Sequence, residues 1–96
     1  MKKKGNGRFG FCVFPGYKWC GPGCNGPGTP INSVDAACKK HDLCYKRYGN
    51  QCECDRAFLR SLRSEINPYT KMGRQAQLIY EYMKLQTFIK CGSIRK

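Results

Sequence analysis

Residues 32–66 read NSVDAACKKHDLCYKRYGNQCECDRAFLRSLRSEI, and the periodicity of this stretch decides the fold. Asn32 is a capping residue, with Asp35 three positions on as a variant of the capping box. Val34, Ala37, Cys38, His41, Cys44, Tyr45 and Tyr48 recur at the spacing of one helical face, which predicts a helix over 32–48. Gly49-Asn50 stops it. A second helix is expected over about 51–66, with Asp55, Leu59, Leu62 and Ile66 as its stripe and Asn67-Pro68 as its end. Two helices joined by two turn residues fold back as an antiparallel hairpin.

The hairpin fixes distances. Residues equally far from the turn sit at the same height, and Cys44 and Cys54 are such a pair, so a disulfide between them can clamp the helices. His41 lies one turn before Cys44 on the same face. Asp55 follows Cys54, roughly 4 Å out of register with His41 at the helical rise and within side-chain reach. An imidazole with one nitrogen held by an acid, fixing tautomer and orientation, is the arrangement a general base needs. Either residue alone reads as an ordinary helix position. The pair, with its staple, reverses that preference.

Asp42 points about 100° away from His41 around the helix. Asp42 and Asp55 thus flank one histidine, in a chain that has only three Asp residues and a large cationic excess. Clustered acids of this kind suit a hard cation. The loop Trp19-Cys20-Gly21-Pro22-Gly23 can complete the ligand set, because glycines let backbone carbonyls turn toward one point and calcium accepts carbonyl oxygen. Cys20 can tie this loop to Cys38, one turn before His41. A Gly-Pro-Gly tripeptide by itself is most often a simple turn.

Outside the hairpin, residues 1–31 hold eight of the eleven glycines and four of the five prolines, which disfavours regular helix. A third helix is expected from about 70 or 71 to 90, with Ala76, Ile79, Tyr80, Met83 and Leu85 inward, Cys91-Gly92 as its stop and Gly73 weakening its first turn. The expected architecture is mainly α and disulfide-rich, in one domain over 1–96: a loop region (1–31), the helical pair (32–66), and a third helix with a tail (67–96). No internal repeat or linker divides it. With 96 residues the chain has room for one ordinary core.

Eight cysteines in so short a chain form a disulfide framework, because a small core gains little from burial alone. Pairings number about a hundred, so spacing alone does not choose. Disulfides imply an oxidising, secreted or extracellular setting. The Met1-Lys2-Lys3-Lys4 start has the basic character of a signal peptide, but no apolar stretch of adequate length follows, and the export route stays open. No apolar run approaches the roughly 18 residues of a membrane-spanning helix. The net charge of +12, from 18 Lys+Arg and 6 Asp+Glu, points to anionic partners, either nucleic acid or an acidic lipid surface. Charge does not choose between them.

Cys38-Lys39-Lys40-His41-Asp42-Leu43-Cys44-Tyr45, the preceding Cys20-Gly21-Pro22-Gly23 loop, and the following Cys52-Glu53-Cys54-Asp55-Arg56-Ala57 closely resemble the calcium-dependent secreted phospholipases A2. The match spans about residues 17–58. The Gly-Pro-Gly loop looks most like the compact phospholipase domains of some viral capsids and microbes. The resemblance implies His41 as general base and Asp55 as its partner, with Tyr45 supporting the aspartate by hydrogen bonding. It implies Asp42 as the side-chain ligand of Ca2+, with backbone carbonyls from Trp19, Gly21 and Gly23. The bridges it implies are Cys20–Cys38 and Cys44–Cys54. It leaves Cys12, Cys24, Cys52 and Cys91 unassigned; Cys12–Cys24 with Cys52–Cys91 is our expectation. Ala37 and Ser61 stand together where family members often have a further half-cystine pair.

The chain also departs from the family. Cys24 replaces the glycine that usually follows the loop, the link between the two catalytic helices is far shorter than in venom enzymes, and the Gly-rich start has no counterpart of the amphipathic N-terminal helix. The implied activity is hydrolysis of the sn-2 ester of a glycerophospholipid by water that His41 activates, with the Gly21 N–H as an oxyanion donor. The absence of a Gly-x-Ser-x-Gly motif agrees with water attack. The expected partner is a phospholipid membrane or micelle surface, anionic for preference, met by Phe9, Phe11, Phe14, Tyr17 and Trp19 among basic side chains. Burial over the small core is the competing reading for these aromatics. Two rivals stand: a catalytically silent cationic membrane-binding or toxin-like protein on the same scaffold, and a zinc-bearing nucleic-acid module. The second is disfavoured, because the cysteine spacing gives no pair of knuckles and there is one histidine.

Overall fold

In the computed structural model, residues 12–21, 23–49 and 51–92 are described, and they form three helices joined to an irregular N-terminal loop. Helix α1 is Ser33–Tyr48, α2 is Gln51–Glu65 and α3 is Lys71–Cys91. Among the described residues there is no strand. The ends follow local chemistry. Asn32 Oδ1 accepts the Asp35 N–H at 2.8 Å to cap α1. Gly49 closes that helix at φ 72°, a left-handed conformation that glycine enters without a steric penalty. Thr70 caps α3 through the Gly73 N–H.

Helix α2 packs against both α1 and α3. The core gathers Tyr17, Trp19 and Cys20 from the loop, Val34, Ala37 and Cys38 from α1, Phe58 and Leu62 from α2, and Ala76 from α3. Four disulfides complete it: Cys12–Cys24, Cys20–Cys38, Cys44–Cys54 and Cys52–Cys91. All four expected pairings are found, and no cysteine is left to bind zinc. The first two bridges fasten the loop, internally and to α1. The last joins the start of α2 to the end of α3 across 39 residues.

Gly73 is required by packing. A Cβ built there would collide with the backbone and Cβ of Asn67, so α3 leaves the turn hard against the chain that precedes it. The predicted stripes need three amendments. Tyr48 is exposed at the end of α1, where the hairpin has already turned away. Leu85 is exposed, and Thr87 takes the inward position on α3. On α2, Phe58 is buried beside the predicted Leu59 and Leu62. Asp35 does not return the capping-box bond; its carboxyl is turned to the loop instead.

That turn organises residues 17–31. Asp35 is fully buried and accepts three backbone N–H groups: Trp19 at 2.8 Å, Lys18 at 3.1 Å and Ile31 at 3.1 Å. A loop without ladder hydrogen bonds must satisfy its amides some other way, and one carboxyl on α1 does so here. Trp19 then lies against Gly26, where an added Cβ would come within 2.6 Å of the indole.

Candidate active site

The site begins with neighbours on α1. His41 and Asp42 are consecutive, so their side chains diverge, His41 toward α2 and Asp42 toward the loop side of the same cleft. His41 Nε2 lies 2.7 Å from Asp55 Oδ1 on α2. The Cys44–Cys54 bridge, Cα–Cα 5.8 Å, holds the two helices in that register. The imidazole stacks on Phe58, with centroids 4.3 Å apart and planes 18° from parallel, and meets the Tyr45 ring at a tilt. The ring is therefore fixed by packing on its faces and by the carboxylate at one edge.

Asp55 is 0% exposed. Tyr45 Oη donates to its Oδ1 at 2.5 Å, as the resemblance implies. Lys90, from the last turn of α3, supplies what the sequence reading missed: its ammonium is 2.9 Å from Asp55 Oδ2 and 3.0 Å from Tyr45 Oη. Burial pushes the Asp55 pKa upward, but hydrogen bonds from Tyr45 and His41 and the adjacent Lys90 ammonium outweigh it and hold the carboxyl below its usual range. Burial dominates at His41 and lowers its pKa despite Asp55, which favours neutral imidazole near neutrality. With Nε2 bonded to a carboxylate, the proton sits on Nε2 and Nδ1 keeps its lone pair.

A cleft of about 470 Å³ opens in front of this group. His41 and Asp42 line it from α1, Trp19 and Gly21 from the loop, and Leu78 and Tyr82 from α3. Asp42 is the one carboxylate among the described residues that line it. Burial raises its pKa to about 6, with Lys46 opposing. Among the described residues no cluster of three or more His, Cys, Asp or Glu side chains could hold a metal. A cation at this place would rest on Asp42 and on backbone oxygen. Gly21 adopts φ 130°, and its carbonyl accepts the Cys24 N–H at 3.0 Å, which leaves one lone pair. Gly23 is exposed and does not line the cleft. The donor set suits calcium, which takes carbonyl oxygen and carboxylate together. A second cleft, about 340 Å³, lies on the other side of His41, and Ala37 and Ser61 both line it.

The predicted lipid-facing aromatics need correction. Tyr17 is 5% exposed and belongs to the core, its hydroxyl donating to Gln75 and accepting from Asn32. Trp19, at 9%, is also core; its indole N–H donates to the Gly28 carbonyl and Lys39 lies over its ring. Phe14 is partly buried at the cleft wall. Phe9 and Phe11 lie outside the described residues. Among the described residues, a stripe of exposed apolar side chains runs along α3: Leu78, Tyr82, Leu85 and Ile89, each more than half exposed, three or four residues apart and so on one face.

A family model described as a phospholipase A2-like domain matches residues 11–95. Among relatives, the acidic phospholipase A2 homolog taipoxin gamma chain of Oxyuranus scutellatus scutellatus is 45% identical over 49 residues, covering 51% of this chain and 28% of that one. Phospholipase A2 AP-PLA2-I of Acanthaster planci is 39% identical over 46 residues, covering 44% and 29%. Phospholipase A2 of Oryctolagus cuniculus is 33% identical over 86 residues, covering 90% and 49%. The chain thus spans at most about half the length of these curated relatives. No solved structure matches.

Proposed function

The chain belongs to the phospholipase A2-like family, and from that membership we propose that it hydrolyses the sn-2 ester of glycerophospholipids with calcium as cofactor, releasing fatty acid and lysophospholipid. The observation that carries this reading is the His41 Nε2–Asp55 Oδ1 contact of 2.7 Å, with Tyr45 on the same carboxylate oxygen and the free side of the imidazole at the cleft.

His41 Nδ1 takes a proton from water as the oxygen attacks the ester carbonyl, and no covalent enzyme intermediate forms. Asp55 stabilises the imidazolium and fixes the ring; Tyr45 fixes Asp55. His41 then returns the proton to the departing alkoxide of the lysophospholipid. The Gly21 N–H, which has no acceptor among the described residues, is suited to the developing oxyanion. Asp42 and the carbonyls of Trp19 and Gly21, which line the cleft, would hold calcium, which when bound supplies positive charge for the lipid phosphate and the oxyanion. The +12 charge suits a membrane carrying anionic lipid, and the α3 stripe of Leu78, Tyr82, Leu85 and Ile89, which begins at the cleft, is the apolar face that would meet it. Four disulfides fit a secreted, extracellular setting.

One observation favours a second reading, a catalytically silent cationic protein on the same scaffold: the relative from Oxyuranus scutellatus scutellatus is named a homolog. Fatty-acid release from mixed zwitterionic and anionic vesicles separates the two. The enzyme reading expects release with calcium, none with chelator, and none from His41→Ala or Asp42→Ala at unchanged melting cooperativity. Undiminished release from either variant refutes the assignment.

A further inference from the structure

Asp55 has two carboxylate oxygens and no access to water. His41 and Tyr45 share Oδ1. Lys90 Nζ, at 2.9 Å, forms an ion pair with Oδ2, which has no aligned hydrogen bond among the described residues. A buried carboxylate with one oxygen unmet and its charge unbalanced is costly, and it relieves that cost by rotating or by taking a proton. Either response takes Oδ1 away from His41.

Lys90 is not free to wander. Its neighbour Cys91 is joined to Cys52, three residues before Asp55, so the last turn of α3 is fixed beside the first turn of α2. The ammonium also donates to Tyr45 Oη at 3.0 Å and lies 5.4 Å above the centroid of that ring. One side chain therefore touches both supports of the imidazole. An exposed ion pair is worth little, and Lys90 is 40% exposed along its length. The charged end that meets Asp55 meets a partner that is 0% exposed, which separates this contact from a surface pair.

We propose that Lys90 is a positioning residue for the His41–Asp55 pair: it holds the carboxylate in the rotamer that aims Oδ1 at Nε2, and so keeps the Nε2–H tautomer with Nδ1 open to water. The role rests on the hydrolytic reading above, and its structural half is measurable without turnover. Histidine occurs once in the chain, so the imidazole resonances of uniformly 15N-labelled protein belong to His41 alone. In the parent at pH 7.5 a slowly exchanging Nε2–H signal is expected. Lys90→Met, which keeps the stem and removes the charge, should broaden or lose that signal and lower kcat by about tenfold with KM unchanged. Lys90→Arg should restore both. A parent that releases no fatty acid sinks the hydrolytic reading while the ring spectrum still decides the role of Lys90. Retention in Lys90→Met of the Nε2–H signal, with kcat within twofold where turnover is measurable, overturns the proposal. If Lys90→Met does not fold, Lys90→Gln, which keeps a donor without the charge, is judged by the same signal.

Discussion

The α1–α2 pair and the loop over 12–31 both deliver groups to one cleft, but they are ordered differently. In the pair, backbone hydrogen bonds are internal to each helix, and the Cys44–Cys54 bridge has only to choose the register. The loop has no such ladder. It is ordered by two disulfides and by Asp35, whose buried carboxyl gathers the N–H groups of Lys18, Trp19 and Ile31. Damage should therefore stay local in the helices and spread in the loop. Removing an apolar side chain packed between the two helices costs its own contacts, whereas removing Asp35, the carboxyl that α1 turns to the loop, leaves several loop amides without acceptors.

Asp35→Ala is the most disruptive change this contrast predicts. Three N–H groups lose their acceptor at once, for a cost of about 3–5 kcal/mol, and the Trp19–Gly21 segment should lose its place at the cleft. Chemical unfolding measures the loss, and fatty-acid release should fall with it. Asp35→Asn, which keeps one acceptor oxygen, should lie between. A stability change below about 0.5 kcal/mol in Asp35→Ala would mean that the disulfides alone order the loop.

Gly73→Ala comes next. Helix propensity favours alanine by about 1 kcal/mol, so on local grounds α3 should gain. The new Cβ, however, meets the Asn67 backbone, which cannot step aside as a flexible side chain would. Overpacking of this kind typically costs about 1–3 kcal/mol, and we expect a net fall in melting temperature. A rise would show that α3 can pivot away from the 67–70 turn.

The difference between these positions also explains what could be read in the sequence. Helix phase is a short-range code: the spacing from Val34 to Tyr45 and the two-residue turn were enough to bring His41, Cys44, Cys54 and Asp55 together. Asn32 marks the start of α1 and caps it in the fold, whereas Thr70, which the sequence reading does not single out as a cap, closes the start of α3. The phase of α3 was less legible, because its apolar residues nearly encircle it and only contact with α2 selects Ala76 and Thr87 as inward. The role of Asp35 was hidden behind a plausible local one, the capping box. Lys90 had a single signal, its place beside a half-cystine that returns to α2. For Tyr17 and Trp19 the sequence leaves a lipid-facing belt and core burial side by side, and the fold decides for burial because a core this small needs its largest side chains inside.

Asp42 offers a gentler test, on the border between the two regions. Burial lifts its pKa to about 6, so the folded state holds this proton more tightly than the unfolded chain does. Such an acid makes the fold relatively more stable as pH falls from 7 toward 4, and less stable as the carboxylate forms. His41 works in the opposite direction, because burial lowers its pKa and the unfolded chain takes its proton first. Subtracting the urea stability of Asp42→Asn from that of the parent, at pH 5 and pH 7, cancels the His41 contribution common to both and leaves that of Asp42. In chelator the difference should favour the parent more at pH 5. Millimolar calcium should flatten or invert that slope by favouring the carboxylate. An identical difference at both pH values would place the Asp42 carboxyl in ordinary water.

The smallest effect on stability belongs to the outward face of α3. Leu85 and Ile89 are exposed, so replacing both with serine should leave the melting temperature within about 2 °C of the parent. Their role, if the stripe is the lipid-facing surface, lies in partition to the membrane, where each large aliphatic side chain can contribute about 1–2 kcal/mol on burial. Sedimentation with anionic vesicles should therefore show at least about tenfold weaker binding for the double variant, while hydrolysis of a soluble monomeric ester is unchanged. Added salt should weaken both proteins by a similar factor, since the +12 charge is untouched by the substitution. Equal vesicle binding by parent and variant would return the lipid-facing role to the loop side of the cleft, where Val13 and Phe14 line the opposite wall.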